Sequence, residues 1–127
     1  MMKDFATFER AAGIRFKDPE LLRQAFTHRS YLNEHRDAAR GHNERLEFLG
    51  DAVLELVVTH QLYTQFPDKT EGELTAYRAA LVNATTCAEI ANELQMNDYL
   101  LLSRGEQKDT GRARGILLAN AFEALVG

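Results

Sequence analysis

The sequence predicts an all-α domain, and three observations predict it. Apolar residues recur at helical spacing through most of the chain, helix-capping patterns precede several of these runs, and only Pro19 and Pro67 interrupt them. No repeat, low-complexity run or Pro/Gly/Ser linker divides the 127 residues, and their 45% hydrophobic content supplies one core. A single domain over residues 1–127 is expected.

Taken in order, Phe5, Phe8 and Ala12 form a short amphipathic helix that Gly13 stops. Asp18 caps a second helix, Pro19 takes its first position, and Leu21, Leu22, Ala25 and Phe26 form its buried face. The polar tetrad Thr27 to Ser30 follows, with His28 read as a packed or surface imidazole rather than a catalytic base. Residues 34–42 are a polar connection. Asn43 to Leu62, NERLEFLGDAVLELVVTHQL, is the helix around which the chain is organised, and it ends at Phe66 and Pro67. Thr70 and Glu73 make a T-x-x-E capping box for the next helix. Glu71, in that first turn, has either a helix-dipole role or a site role. Leu81, Ala84, Ala88, Ala91 and Leu94 continue a helical stripe, with Cys87 in the core, until Asn97 and Asp98 break it. Tyr99 to Leu102 is an apolar run of undefined type. SRGEQKDTGRARG, Ser103 to Gly115, reads as a loop, locally basic through Arg104, Lys108, Arg112 and Arg114. It is either solvated or a phosphate contact surface. Leu118, Phe122 and Leu125 pack the last helix.

Composition narrows the function. The formal charge of −4 is the wrong sign for bulk electrostatic binding of nucleic acid, so such contacts would be local or helped by metal or another domain. One cysteine excludes an internal disulfide framework and a thiol-rich metal site. The N-terminal residues are broken by charges at Lys3, Asp4, Glu9 and Arg10, which excludes a signal or membrane segment, and a cytoplasmic protein is expected.

The chemistry concentrates in NERLEFLGD. At about 100° per residue, Glu44, Glu47, Asp51 and Glu55 share an arc of roughly 80°, and Leu46, Leu49, Val53, Leu56 and Val57 lie opposite as a stripe expected to face the core. Like charges at this spacing repel. A solvated acidic face would show the same carboxylates, but Phe48 beside the acids and Gly50 inside the helix do not belong on one. Hard oxygen ligands so placed suit Mg²⁺ or Mn²⁺.

NERLEFLGD resembles the signature of the ribonuclease III endonuclease domain, as do AFTHRSYLNE upstream and TEGELTAYRAALVN and LLANAFEALVG downstream, in order and spacing. The resemblance implies a ribonuclease III-like helical fold and Mg²⁺-dependent (or Mn²⁺-dependent) hydrolysis of double-stranded RNA to 5′-phosphate and 3′-hydroxyl ends, in RNA processing. It implies a homodimer in which Phe48 enters a socket on the partner, a metal cluster of Glu47, Asp51, Asn120 and Glu123 with Asp51 and Glu123 catalytic, and rim acids at Glu44 and Glu71. The family usually has Asp where this chain has Asn120. That departure favours the alternative of a catalytically silent relative that binds RNA or a ribosomal surface. The complete LEFLGD argues against a mini-ribonuclease III. Ending at Gly127, the chain is expected to lack the rest of the endonuclease domain and the usual double-stranded RNA-binding domain.

Overall fold

The computed structural model describes residues 3–36 and 41–127, so part of the connection expected over 34–42 lies outside the described residues. Helix α1 spans Phe5–Ala12; the Asp4 carboxylate accepts from the Ala6 amide, and Gly13 closes the helix at a left-handed φ of 73°. Helix α2 spans Pro19–Ala25, capped by Asp18 with Pro19 in the first turn. Helix α3 spans Arg29–Glu34, and its cap is His28, whose Nδ1 accepts from the Ser30 amide. The long α4 runs Glu44–Gln65, α5 Glu71–Leu81, α6 Ala84–Glu93, a 3-10 turn Met96–Tyr99, α7 Arg104–Lys108 and α8 Arg112–Val126.

Phe8, Leu22, Phe26, Met96 and Leu118 centre the core. Phe8 meets Phe26 edge-on at 5.0 Å and Tyr99 at 5.3 Å, contacts that add about 1 kcal/mol per pair beyond burial. The apolar run Leu100–Leu102 is buried and makes a single parallel bridge to Thr27. His28 donates its amide to the Leu101 carbonyl and Leu101 donates to that of Phe26, which ties the end of α2 to the strap before α7. Among the described residues no helix is long and apolar enough to cross a membrane.

Helix α8 packs most extensively on α4 and α6. Its buried Ala119, Ala121 and Ala124 let both neighbours approach. The tightest approach is at Gly50, where an added β-carbon would fall onto the Glu123 carbonyl; one on Gly127 would meet the Leu46 carbonyl. Residue 50 beside 123 and 46 beside 127 make α4 and α8 antiparallel.

Three expectations are corrected. The apolar stripe of α4 does not face the core: Leu49, Leu56 and Val57 are exposed, and Gly50 and Leu62 are the buried residues of this helix. On the helical wheel Gly50 lies between the acidic arc and the stripe, so α8 covers their border rather than the stripe itself. The stripe from Leu81 to Leu94 is two helices. Asn83 divides them, its Nδ2 donating to the carbonyls of Ala79 and Ala80 while its Oδ1 accepts from the Thr86 amide. Cys87 is in the core, as expected. Finally, residues 103–115 are not a loop: Ser103 caps α7, and α8 has begun by Arg112.

Candidate active site

Helix α4 presents its acids because Asn43 fixes where it starts. That buried side chain does not cap the helix; its Nδ2 donates to the Ala25 carbonyl at 2.9 Å, while its backbone amide donates to that of Thr27. Two bonds therefore fasten the first turn of α4 to the end of α2. From there Glu44, Glu47, Phe48 and Asp51 project into a cleft of about 580 Å³, completed by Asn120 and Glu123 of α8.

The acids are not equivalent. Glu44 is met by Arg29 Nη1 at 3.4 Å and by His42 Nε2 at 3.6 Å, the latter adding charge only when protonated. Glu47, Asp51 and Glu123 have no ion-pair partner among the described residues. Burial, then the Glu44 and Asp51 charges, hold Glu47 above the usual carboxylate range. Glu123 is pushed up to about 7 by burial first, then by its hydrogen bond with the Asp51 carboxyl and by the charges of Asp51, Glu47 and Glu55. Below them Cys87 feels the same field, its thiol raised by burial and by Glu123 and Asp51.

Among the described residues, no three His, Cys, Asp or Glu side chains are arranged to hold a metal ion. The donor set nonetheless fits a hard divalent cation in type and charge: carboxylate and amide oxygens, crowded enough that Glu123 keeps a proton near neutrality. Asn120 can contribute only its neutral amide oxygen.

The Ribonuclease-III-like family profile matches residues 18–127. The chain belongs to this family. Ribonuclease 3 of Bacillus cereus (strain AH187) is 51% identical over 123 residues, covering 97% of this chain and 50% of that protein. Ribonuclease 3 of Bacillus anthracis (strain CDC 684 / NRRL 3495) matches at the same identity and coverage. The chain thus spans about half the length of the curated relatives it matches. Among solved structures, the nuclease domain of ribonuclease III from Campylobacter jejuni superposes with a TM-score of 0.86 at 41% identity, covering 96% of this chain and 81% of that one. That structure is described as flexible in the region involved in dimer formation. A second structure of the same domain gives 0.84 at 42%, covering 98% and 80%.

For this ribonuclease III-like chain, the structure brings together Glu44, Glu47, Phe48, Asp51, Asn120 and Glu123. It does not bring Glu71 to them. Glu71 lines a separate cavity of about 640 Å³ between the C-terminal half of α4 and α5, with Tyr63, Phe66 and Arg78, so within one chain it does not stand at the rim of the acidic cleft. Arg114 is also displaced from its expected surface role: it is buried, donating to Asn97 Oδ1 and to the carbonyls of Glu106 and Gln107. Sequence reasoning missed Arg29, His42 and Asn43 as supports of the acidic turn. Asn43 stands in the signature itself, but its partner Ala25 shares no local spacing with it.

Proposed function

We propose that this chain is the catalytic domain of a metal-dependent endoribonuclease that hydrolyses the phosphodiester bonds of double-stranded RNA to 5′-phosphate and 3′-hydroxyl ends, in the processing of cellular and ribosomal RNA in the cytoplasm. The observation that carries this reading is the convergence of Glu47, Asp51 and Glu123 in one cleft with no basic side chain paired to them among the described residues. Family membership and the nuclease-domain likeness support the reaction class.

Glu47, Asp51, Glu123 and the Asn120 amide oxygen would hold Mg²⁺, or Mn²⁺ in its place. When bound, such an ion lowers the pKa of water and offsets charge on the reacting phosphate. Glu123, raised to about 7, keeps its proton in the free chain near neutrality and gives it up when a cation offsets the surrounding charge. The positions of Asp51 and Glu123 on two packed helices keep the carboxyls fixed without relying on loop order. Glu44, paired to Arg29 and His42, stands at the edge and shapes the local field. The presence of all these acids favours an enzyme over a silent relative.

The test is incubation of the chain with long duplex RNA, with and without Mg²⁺, read on denaturing gels with end-group analysis. Cleavage should require the ion. Glu123→Gln should lower the cleavage rate by about 100-fold or more while RNA binding changes little, because the lost ligand acts mainly in the transition state. Cleavage by Glu123→Gln at the parent rate would overturn the site assignment.

A further inference from the structure

A half-open cavity of about 740 Å³ that shares no lining residue with the acidic cleft lies between Lys3, α2, α3, the Leu100–Leu102 strap and α7. Its charge is opposite to that of the molecule. Lys3, Arg23 and Arg104 face it against one carboxylate, Glu34, and among the described residues none of the three cations has a carboxylate within 4.0 Å. Glu34 is already engaged, its Oε2 accepting from the Arg104 backbone amide at 3.3 Å. Lys3 Nζ donates to the Asp98 carbonyl at 2.7 Å, which holds the ammonium in place without neutralising it. Arg23 Nη2 donates to the Tyr31 hydroxyl at 3.3 Å, leaving most of its donors uncommitted. The Arg104 guanidinium is exposed and makes no hydrogen bond or ion pair within the described residues.

The same wall carries aromatic surface. The rings of Tyr31 and His35 stack at 3.9 Å with their planes 8° apart, and the His35 ring nitrogen lies 3.2 Å from the Tyr31 carbonyl. Cations recognise phosphate oxygens, and guanidinium forks do so with two parallel bonds. Flat rings beside them are a stacking surface for a base, which every nucleotide offers. The volume accommodates one nucleotide, which fills roughly the lower part of the usual 300–1,000 Å³ range of ligand sites.

We propose that this cavity binds a nucleoside monophosphate group, with Lys3, Arg23 and Arg104 on the phosphate and the Tyr31–His35 stack beside the base. The group comes either from a free nucleotide or from the phosphorylated end of an RNA strand. The site stands apart from the acidic cleft and does not depend on the cleavage reaction.

The experiment is calorimetric titration of the chain in EDTA with AMP, adenosine, inorganic phosphate, and a short single-stranded RNA carrying either a 5′-phosphate or a 5′-hydroxyl. AMP should bind more tightly than adenosine or phosphate alone, and Arg104→Glu should weaken AMP binding by about tenfold. Glu123→Gln should leave it unchanged. Circular dichroism of Arg104→Glu checks the fold, and Lys3→Glu, at another exposed cation, is an independent second variant. A 5′-phosphate RNA that outbinds its 5′-hydroxyl counterpart through Arg104 identifies the strand end as the source; AMP binding with no difference between the two RNAs identifies the free nucleotide. No AMP binding up to about 10 mM, weaker than any useful site, or binding untouched by both Arg104→Glu and Lys3→Glu, overturns the proposal.

Discussion

Glu123 is half-buried among Glu47, Asp51 and Glu55, and the pH response of the metal-free chain follows from that burial and crowding. Burial first, and then these neighbours, push its carboxyl up from an ordinary 4.5 to about 7. Between those values the folded chain binds a proton that the unfolded chain has lost, so the stability contributed by protonated Glu123 is fully present below the lower value and disappears as pH rises through the upper one. In EDTA, the melting temperature should fall by a few degrees between about pH 5 and about pH 8, the size being reduced by solvent screening of a partly exposed group. Glu123→Gln should flatten that slope, and a slope unchanged in the variant would mean that another group titrates. Asn120→Asp works in the opposite sense to a cation: it adds a fourth charge to Glu47, Asp51 and Glu123. It should lower the Mg²⁺ midpoint for RNA cleavage by about fivefold, the worth of one added charge of roughly 1 kcal/mol in a cleft open to water. It should also lower the melting temperature in EDTA, where the added repulsion is uncompensated. A Mg²⁺ titration alongside differential scanning calorimetry reads both effects, and a midpoint equal to the parent's would place residue 120 outside the cation's reach.

At the scale of the elements, the site depends on how closely α4 and α8 can approach, and Gly50 sets that distance. Gly50→Ala would press a methyl group into the Glu123 carbonyl, backbone against side chain with no flexible end to yield. The variant should lose about 3 kcal/mol or more, at the upper end of overpacking costs, read as a shift of the urea midpoint with the slope unchanged. An alanine tolerated within experimental error would show that the two helices are not in contact there. In the sequence, Gly50 is legible only as an anomaly, a poor helix former inside a strong helix; the neighbour that explains it lies at the other end of the chain. The same holds for the cleft. Glu44, Glu47 and Asp51 are readable because one helix repeats them, whereas Asn120 and Glu123 join them only through the family resemblance, and Arg29 and Asn43 act through partners 15 and 18 residues away that no local spacing reveals. The stop of α1 at Gly13 and the start of α2 at Asp18 and Pro19 are readable, since these residues act on their own neighbours, while the Asp4 cap of α1 goes unread. Where the reading fails it fails by composition. Asn83 ends α5 and starts α6 with one side chain inside an otherwise continuous apolar period. Ser103 and Glu106 form an S-x-x-E start for α7 that the glycines of SRGEQKDTGRARG obscure.

Over the whole molecule, apolar surface is distributed asymmetrically. The core gathers around α1, α2, α6 and α8, while α4 and α5 leave Phe48, Leu49, Leu56, Val57, Tyr63 and Leu81 exposed. Phe48 is 82% exposed although it stands at the mouth of the acidic cleft. Six large apolar side chains along one helix pair exceed the scattered exposure of a monomer and mark an association surface. The exposed face of α4 joins an apolar stripe to the projecting Phe48 beside the acids, a mixed surface of the kind that a twofold interface between copies of one chain can pair with itself. We therefore expect a homodimer in which Phe48 enters an apolar recess of the partner. Because the ring touches little of its own chain, Phe48→Ala should leave the circular dichroism spectrum of the protomer unchanged. It should weaken dimerisation by about 2 kcal/mol or more, roughly 30-fold in dissociation constant, as truncation of a buried aromatic anchor does. Sedimentation velocity over a concentration series separates the two species directly. The parent should sediment as a dimer at concentrations where Phe48→Ala is largely monomeric, and a variant that stays dimeric across the series would assign the contact to Leu56, Val57 and Tyr63 without the ring.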